Sequence, residues 1–180
     1  MLALITGGSG SGKSAYAEAL CVKLQKKRQE IPMVYIATMY PYDEEAFRKI
    51  DRHRMLRKNK NFHTLECFTG LSEVKLEEKN TTVLLECMSN LTANEMYQED
   101  GAGFQTVEAV CSGMDHLCEQ AADVVVVSNE IFSDGIHYDP ETMRYQQYLG
   151  EINRHIAGKA DLVVEVVYGI PVVHKGEVSL

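Results

Sequence analysis

No stretch of this chain approaches the roughly 18 consecutive apolar residues that a membrane-spanning helix needs, so membrane insertion is not expected. The longest apolar runs, near Val124 to Val127 and Leu162 to Val167, are short and rich in valine, as strands buried in a parallel sheet are. A secretory leader is not expected either. The opening apolar run, Met1 to Ile5, is too short, and glycines follow where an apolar segment would continue. The five cysteines, at positions 21, 67, 87, 111 and 118, form no Cys-x-x-Cys pair and no zinc-finger spacing with histidine. They read as free thiols in a reducing compartment, and a cytoplasmic location is the expectation. Positive charge is scarce: 18 Lys and Arg stand against 26 Asp and Glu, a formal charge of -8. That balance argues against nonspecific nucleic-acid binding, which needs cations to neutralise phosphates, yet it leaves room for a local cationic pocket. Internal repeats, disordered tracts and interdomain linkers are lacking as well. Residues 1–180 are therefore expected to form one domain, long enough for a substantial core.

What the chain does have is GGSGSGKS, Gly7 to Ser14. It follows a short apolar run and leads into YAEALCVKL, which gives strand, glycine-rich loop and helix in order. The run fits the phosphate-loop pattern G-x-x-x-x-G-K-[ST]. In that pattern backbone N–H groups cradle phosphates, Lys13 reaches the terminal phosphates, and the Ser14 hydroxyl is a Mg²⁺ ligand. Gly7, Gly8, Gly10 and Gly12 permit tight turning and close phosphate approach, while Ser9 and Ser11 add hydroxyls. Phosphoryl transfer depends on electrostatic positioning more than on covalent help, which makes Lys13 a catalytic candidate.

Beyond the loop, strands and helices alternate to the end. Expected strands are Leu2 to Thr6, Met33 to Thr38, Thr64 to Glu66, Thr81 to Cys87, Asp123 to Ser128 and Leu162 to Val167, with Val172 to His174 as an edge strand after a turn at Gly169-Ile170-Pro171. Expected helices are Lys13 to Arg28, Glu44 to Arg57, Phe104 to Gln120 and Glu141 to Ile156. The segment Asn90 to Gly103 reads both ways, helical at its start and loop-like near Asp100, Gly101 and Gly103. The alternation predicts an α/β fold: a three-layer P-loop NTPase-like domain with a mainly parallel central sheet. Ligand is then expected at the carboxyl ends of the strands.

A second acidic group should help hold magnesium at a strand end. Glu86, which ends VLLE, and Glu130, which follows VVVVSN, are the candidates. Asp43, Glu44 and Glu45 read as the capped start of the next helix. Among six histidines, His53 stands in KIDRHRMLRK, flanked by Arg52 and Arg54 with Arg48, Lys49, Arg57 and Lys58 nearby. Local charge alone fits a solvated basic face as well as a nucleotide-handling one. Nitrogen nucleophiles do pass phosphoryl and nucleotidyl groups.

Taken together, these segments resemble the bifunctional adenosylcobinamide kinase and adenosylcobinamide-phosphate guanylyltransferase family. The resemblance rests on LITGGSGSGKSAYAE, VYIAT at Val34 to Thr38, KIDRHRMLR around His53, HTLE at His63 to Glu66, LLECMSNLTANE at Leu84 to Glu95, VVVVSNE at Val124 to Glu130, and ADLVVEVVYGIPVVHKG near the end. It implies a P-loop fold, a homotrimer and two steps of coenzyme B12 synthesis or salvage. The first phosphorylates adenosylcobinamide with a nucleoside triphosphate, ATP or GTP. The second transfers GMP from GTP to adenosylcobinamide phosphate through a guanylyl-histidine, which falls on His53. The same resemblance places Gly7 to Ser14, Glu66 and Glu86 at the nucleotide, and Ser14, Glu86 and Glu130 at Mg²⁺. Asn94 and Asn129 fall on polar family positions. The chain departs from the family pattern in carrying Phe62 where a tryptophan is usual. Gln146 and Gln147 also replace an arginine and an aspartate ahead of Gly150. Two alternatives stay open: a divergent P-loop kinase for another small substrate, and a GTP-binding interaction protein without catalysis.

Overall fold

Side-chain alternation sorts the interior strands between two cores. Ala3 and Ile5 enter one cluster and Leu4 the other; Leu84 faces one way and Val83 and Leu85 the opposite way; Val125 and Val127 oppose Val124 and Val126. A strand buried on both faces reads as a continuous apolar run, which is why these stretches look alike in sequence. Each fully buried leucine or isoleucine contributes about 1.5–3 kcal/mol.

The computed structural model describes residues 1–177 and, among them, every side chain except that of Leu56. The final three residues of the expected domain lie outside the described residues. The strands are β1 (Leu2–Thr6), β2 (Met33–Ala37), β3 (Phe62–Glu66), β4 (Thr82–Glu86), β5 (Asp123–Val127), β6 (Leu162–Val167) and β7 (Ile170–Lys175). The helices are α1 (Lys13–Lys27), α2 (Glu44–Arg57), α3 (Met88–Tyr97), α4 (Thr106–Gln120) and α5 (Pro140–Lys159). The sheet order is β3-β2-β4-β5-β1-β6-β7. The first six strands are mutually parallel and β7 runs antiparallel to β6. On one face Ala17, Leu20, Cys21 and Leu24 of α1 cover the sheet; on the other, Met88 and Leu91 of α3, Val110, Met114 and Leu117 of α4, and Leu149, Ile152 and Ile156 of α5 do so. The three-layer α/β architecture with a mainly parallel sheet is the one expected. Among the described residues no helix is long and apolar enough to cross a membrane.

The segment that read both ways is helical at its start, as α3 through Tyr97, and turns from Gln98 to Gly101, as expected near Asp100 and Gly101. The buried side chains of α3 include Ser89, Thr92, Asn94 and Glu95, so polarity hid a buried face. Each finds a partner: Ser89 Oγ accepts from Asn129 Nδ2 (2.7 Å), Thr92 donates to Met88 O (2.9 Å), Asn94 to Thr38 O (2.8 Å), and Glu95 accepts from Gly70 N (2.8 Å) and Ala102 N (2.9 Å). The last turn lies one step earlier than expected, at Tyr168-Gly169, with Val167 paired to Ile170. Positive φ at both residues (51° and 79°) matches the two-residue hairpin turn that suits strand twist. Pro171 then sits within β7, at the sheet edge, where a missing N–H is tolerated.

Candidate active site

Because the six parallel strands share one direction, their carboxyl ends gather the loops that matter. β1 is interior to the sheet, between β5 and β6, and runs straight into Gly7 to Ser14. Gly12 caps α1 in the left-handed region, φ 94°, which starts the helix with its N–H groups facing the loop. Gly7 leaves no room for a side chain: an added Cβ would stand 2.5 Å from Val166 O. The loop is tied down by Ser11 N to Gly8 O (3.2 Å), Gly169 N to Ser11 O (2.8 Å) and Glu130 N to Gly7 O (3.1 Å). Lys13 folds back and donates to Gly8 O at 3.0 Å. Burial pulls its ammonium below the usual lysine range, and the neighbouring Cys87 and Glu86 act in the opposite sense.

Glu86, at the end of β4, is 7% exposed. Its Oε1 accepts a hydrogen bond from the Ser14 hydroxyl, and its Oε2 accepts one from the Tyr35 hydroxyl at 3.2 Å. The ends of β2 and β4 are clasped beside it, with Thr38 N donating to Glu86 O (3.1 Å) and Cys87 N donating to Thr38 Oγ1 (2.7 Å). Burial pushes the Tyr35 phenol far above its ordinary value, and the Glu86 charge adds to the effect.

His53 arrives on α2. Asp43 starts that helix by accepting from Ala46 N at 2.7 Å; Glu44 and Glu45 lie in the first turn and Arg54 and Arg57 in the last, each sign at its favourable end. Ala46, Ile50, His53 and Arg57 share its inward face, while its other described side chains are exposed. Arg57 is 7% exposed, and its guanidinium lies 3.3 Å from the centre of the Tyr35 ring, a cation–π contact. His53 Nδ1 stands 3.7 Å from Glu86 Oε1. The phosphate loop, β4 end and α2 thus enclose a cavity of about 430 Å³. Five of its lining residues are cations (Lys13, Lys49, Arg52, Arg54 and Arg57) and two are glutamates, Glu66 and Glu86. That local balance suits a polyphosphate despite the acidic chain.

The structure brings together Ser9 to Ser14, His53, Glu66 and Glu86 around this cavity. Gly7 and Gly8 shape the loop behind it. Glu66 lies beside Arg54 at 3.7 Å. Glu130 is the exception among the expected metal residues. Its carboxylate turns into its own loop, accepting from Phe132 N (3.0 Å) and Ser133 Oγ (2.8 Å), and it does not line the cavity. The adjacent Asn129 does line it and donates to Ser89 Oγ at 2.7 Å. The described residues hold no group of three or more His, Cys, Asp or Glu placed for a metal. The Ser14 hydroxyl and Glu86 carboxylate are adjacent hard oxygen donors. They fit Mg²⁺, which keeps several waters and draws further ligands from phosphates.

Tyr35 and the inward role of Arg57 escaped the sequence reading. The available signal for Tyr35 was a phenol within an otherwise aliphatic strand, since a buried hydroxyl needs a partner. Gln146, one of the departing residues, donates to Ile131 O at 2.9 Å and so steadies the segment after Glu130.

A parallel sheet with a glycine-rich phosphate loop leaving an interior strand, and a lysine and hydroxyl at the head of the following helix, define a P-loop nucleoside-triphosphate-binding domain. The crystal structure of flagellar accessory protein FlaH from Methanocaldococcus jannaschii shares this fold, with a TM-score of 0.51 at 13% identity over 98% of this chain and 78% of that one. More specifically, the chain belongs to the family described as cobinamide kinase / cobinamide phosphate guanyltransferase, whose model, CobU, matches residues 3–174. It is 31% identical to the bifunctional adenosylcobalamin biosynthesis protein CobU of Escherichia coli, over 96% of this chain and 98% of that protein. It is 29% identical to the protein of the same name from Salmonella typhimurium, with the same coverage.

Proposed function

We infer that this protein is a bifunctional enzyme of cobalamin biosynthesis, a cobinamide kinase and cobinamide phosphate guanylyltransferase. The observation that carries the reading is the meeting of His53 with the phosphate loop across Glu86 in one cavity. A simple P-loop kinase has no use for a histidine there.

In the kinase step the loop amides and Lys13 hold the triphosphate; the aminopropanol hydroxyl of adenosylcobinamide attacks the γ-phosphorus, the bond to the β–γ bridging oxygen breaks, the nucleoside diphosphate leaves with that electron pair, and the hydroxyl proton passes to solvent. Lys13 neutralises charge on the transferred group. Mg²⁺, held by Ser14 and Glu86, supplies charge neutralisation at the phosphate oxygens when bound. In the second step His53 attacks the α-phosphorus of GTP and pyrophosphate leaves. An oxygen of the corrinoid phosphate then displaces the histidine, giving adenosylcobinamide-GDP. Lys49, Arg52, Arg54 and Arg57 are the cations that α2 brings to the cavity. ATP or GTP serves the first step and GTP the second. A homotrimer in the cytoplasm, with corrinoids rather than nucleic acid as partners, completes the reading.

The test is incubation with GTP labelled at the α-phosphate and Mg²⁺, denaturing analysis, and a chase with adenosylcobinamide phosphate. Wild type should carry label that the corrinoid phosphate releases, and His53→Ala should carry none. Label that survives in His53→Ala, or that the corrinoid phosphate fails to discharge, would defeat the assignment. Sedimentation at micromolar concentration tests the trimer.

A further inference from the structure

Glu86 touches both halves of the site. Oε1 takes the Ser14 hydroxyl and lies 3.7 Å from His53 Nδ1, while Oε2 is held by Tyr35. Nδ1 is buried and lacks a hydrogen-bond partner, although the His53 side chain is 25% exposed and lines the cavity. The covered edge of the ring therefore faces Glu86, and the opposite edge, which carries Nε2, faces the cavity. An ionised carboxylate accepts and never donates, and each of its oxygens has room for two donors. A small closure of the 3.7 Å gap lets Oε1 take an Nδ1–H beside the Ser14 hydroxyl.

We propose that Glu86 is a positioning residue for His53: it fixes the neutral ring as the Nδ1–H tautomer and leaves the Nε2 lone pair as the nucleophile that accepts GMP. This rests on the reading of His53 as the guanylyl acceptor. Which nitrogen holds the proton is set by the partner of the other nitrogen. The Nε2 lone pair forms the new N–P bond while the bond from the α-phosphorus to the bridging oxygen breaks, its electron pair leaving with pyrophosphate. The ring becomes a cation whose Nδ1–H faces the Glu86 carboxylate. When the corrinoid phosphate oxygen attacks, the N–P electron pair returns to Nε2. No proton leaves the ring in either step, so Glu86 acts by orientation and charge, not as a base.

The experiment reads the linkage, not only the rate. Wild type is labelled with α-³²P-GTP and Mg²⁺, stripped of guanosine by periodate and β-elimination, digested in alkali, and its phosphohistidine isomers separated. Phosphate on Nε2 is expected; phosphate on Nδ1 overturns the proposal. In parallel, NMR of ¹⁵N-histidine protein without nucleotide should show His53 protonated on Nδ1, its signals assigned by their loss in His53→Ala. Protonation on Nε2 overturns it too. Glu86→Gln should mix the tautomers, slow labelling roughly 10- to 100-fold and raise the Nδ1 share of the label. An unchanged tautomer and isomer in that variant would count against a positioning role. Both wild-type measurements stand even if Glu86→Gln folds poorly. Absence of any covalent label sinks the guanylyl-histidine reading instead, and the tautomer then decides the orientation by itself.

Discussion

Replacing Tyr35 by phenylalanine removes one hydroxyl and nothing else from the middle of the site. The ring keeps its edge contact with Phe62, at 6.2 Å between centroids, and its face against Arg57. What is lost is the donor to Glu86 Oε2, on a carboxylate that is 7% exposed. A hydrogen bond to a buried charged group contributes about 1.5–3 kcal/mol, and removing the donor leaves the acceptor desolvated. With a urea slope of about 1–3 kcal/mol/M, the unfolding midpoint should fall by roughly 1 M at pH 7. A second, pH-dependent signature follows. Burial, reinforced by Glu86, holds the Tyr35 phenol protonated well beyond its ordinary range in the folded protein. In the unfolded chain it ionises near pH 10. Above that pH the unfolded state binds fewer protons than the folded one. This contribution is therefore complete below about pH 10 and is lost as pH rises, by about 1.4 kcal/mol per unit. Tyr35→Phe lacks that loss, so the gap between the two proteins should narrow by about 1.4 kcal/mol from pH 7 to 11, most of it above pH 10. Urea titrations at pH 7, 10 and 11 test both parts. A gap below about 0.5 kcal/mol at pH 7, or one that does not change with pH, would refute the reasoning.

Other expectations concern the frame around the site. Glu18 is 1% exposed, and Lys60 covers one of its oxygens while the other has no hydrogen-bond partner. Lys60→Met should destabilise by about 2 kcal/mol, less than for a fully buried pair because Lys60 is 32% exposed. Adding Glu18→Gln should recover much of that loss in urea titrations; strictly additive losses would argue against coupling. Gly176 has φ 79°, and a Cβ there would meet Asp161 O at 2.1 Å. Gly176→Ala should cost at least about 2 kcal/mol and lower Tm by roughly 4–8 °C in calorimetry. Burial pushes the Cys21 thiol well above its ordinary value and Cys67 up to about 11. Iodoacetamide at pH 8 should leave both unmodified in the folded protein and label both in urea, as read by peptide mass spectrometry; fast native labelling would contradict their burial.

The sequence spoke most clearly where chemistry and local geometry coincide. Gly7 to Ser14 needed only its flanks to be placed at the end of a strand, and the valine runs could be nothing but buried strands or short buried helices. α3 was hard to read because its face is buried through hydrogen bonds to Gly70, Ala102 and Thr38, partners that only the tertiary fold supplies. The meeting of Ser14, Glu86 and His53 was equally hidden. β4 and β1 are separated by β5 in the sheet, and α2 reaches the cavity from a different connection. Residue type nominated each of them, but sheet order alone decides that Glu86 faces the phosphate loop. Glu130, with much the same local credentials, sits one residue past Asn129 and spends its carboxylate on its own loop.

The cavity around Gly7 to Ser14 has a consequence for the order of events. Under the proposed function one phosphate cradle serves both reactions, so a nucleotide bound for phosphoryl transfer would exclude one bound for GMP transfer. The seat would then have to empty between turns, and the two activities would alternate in time instead of running side by side. Each nucleotide would compete with the other's chemistry, and the ratio of ATP to GTP would set how often His53 meets GTP.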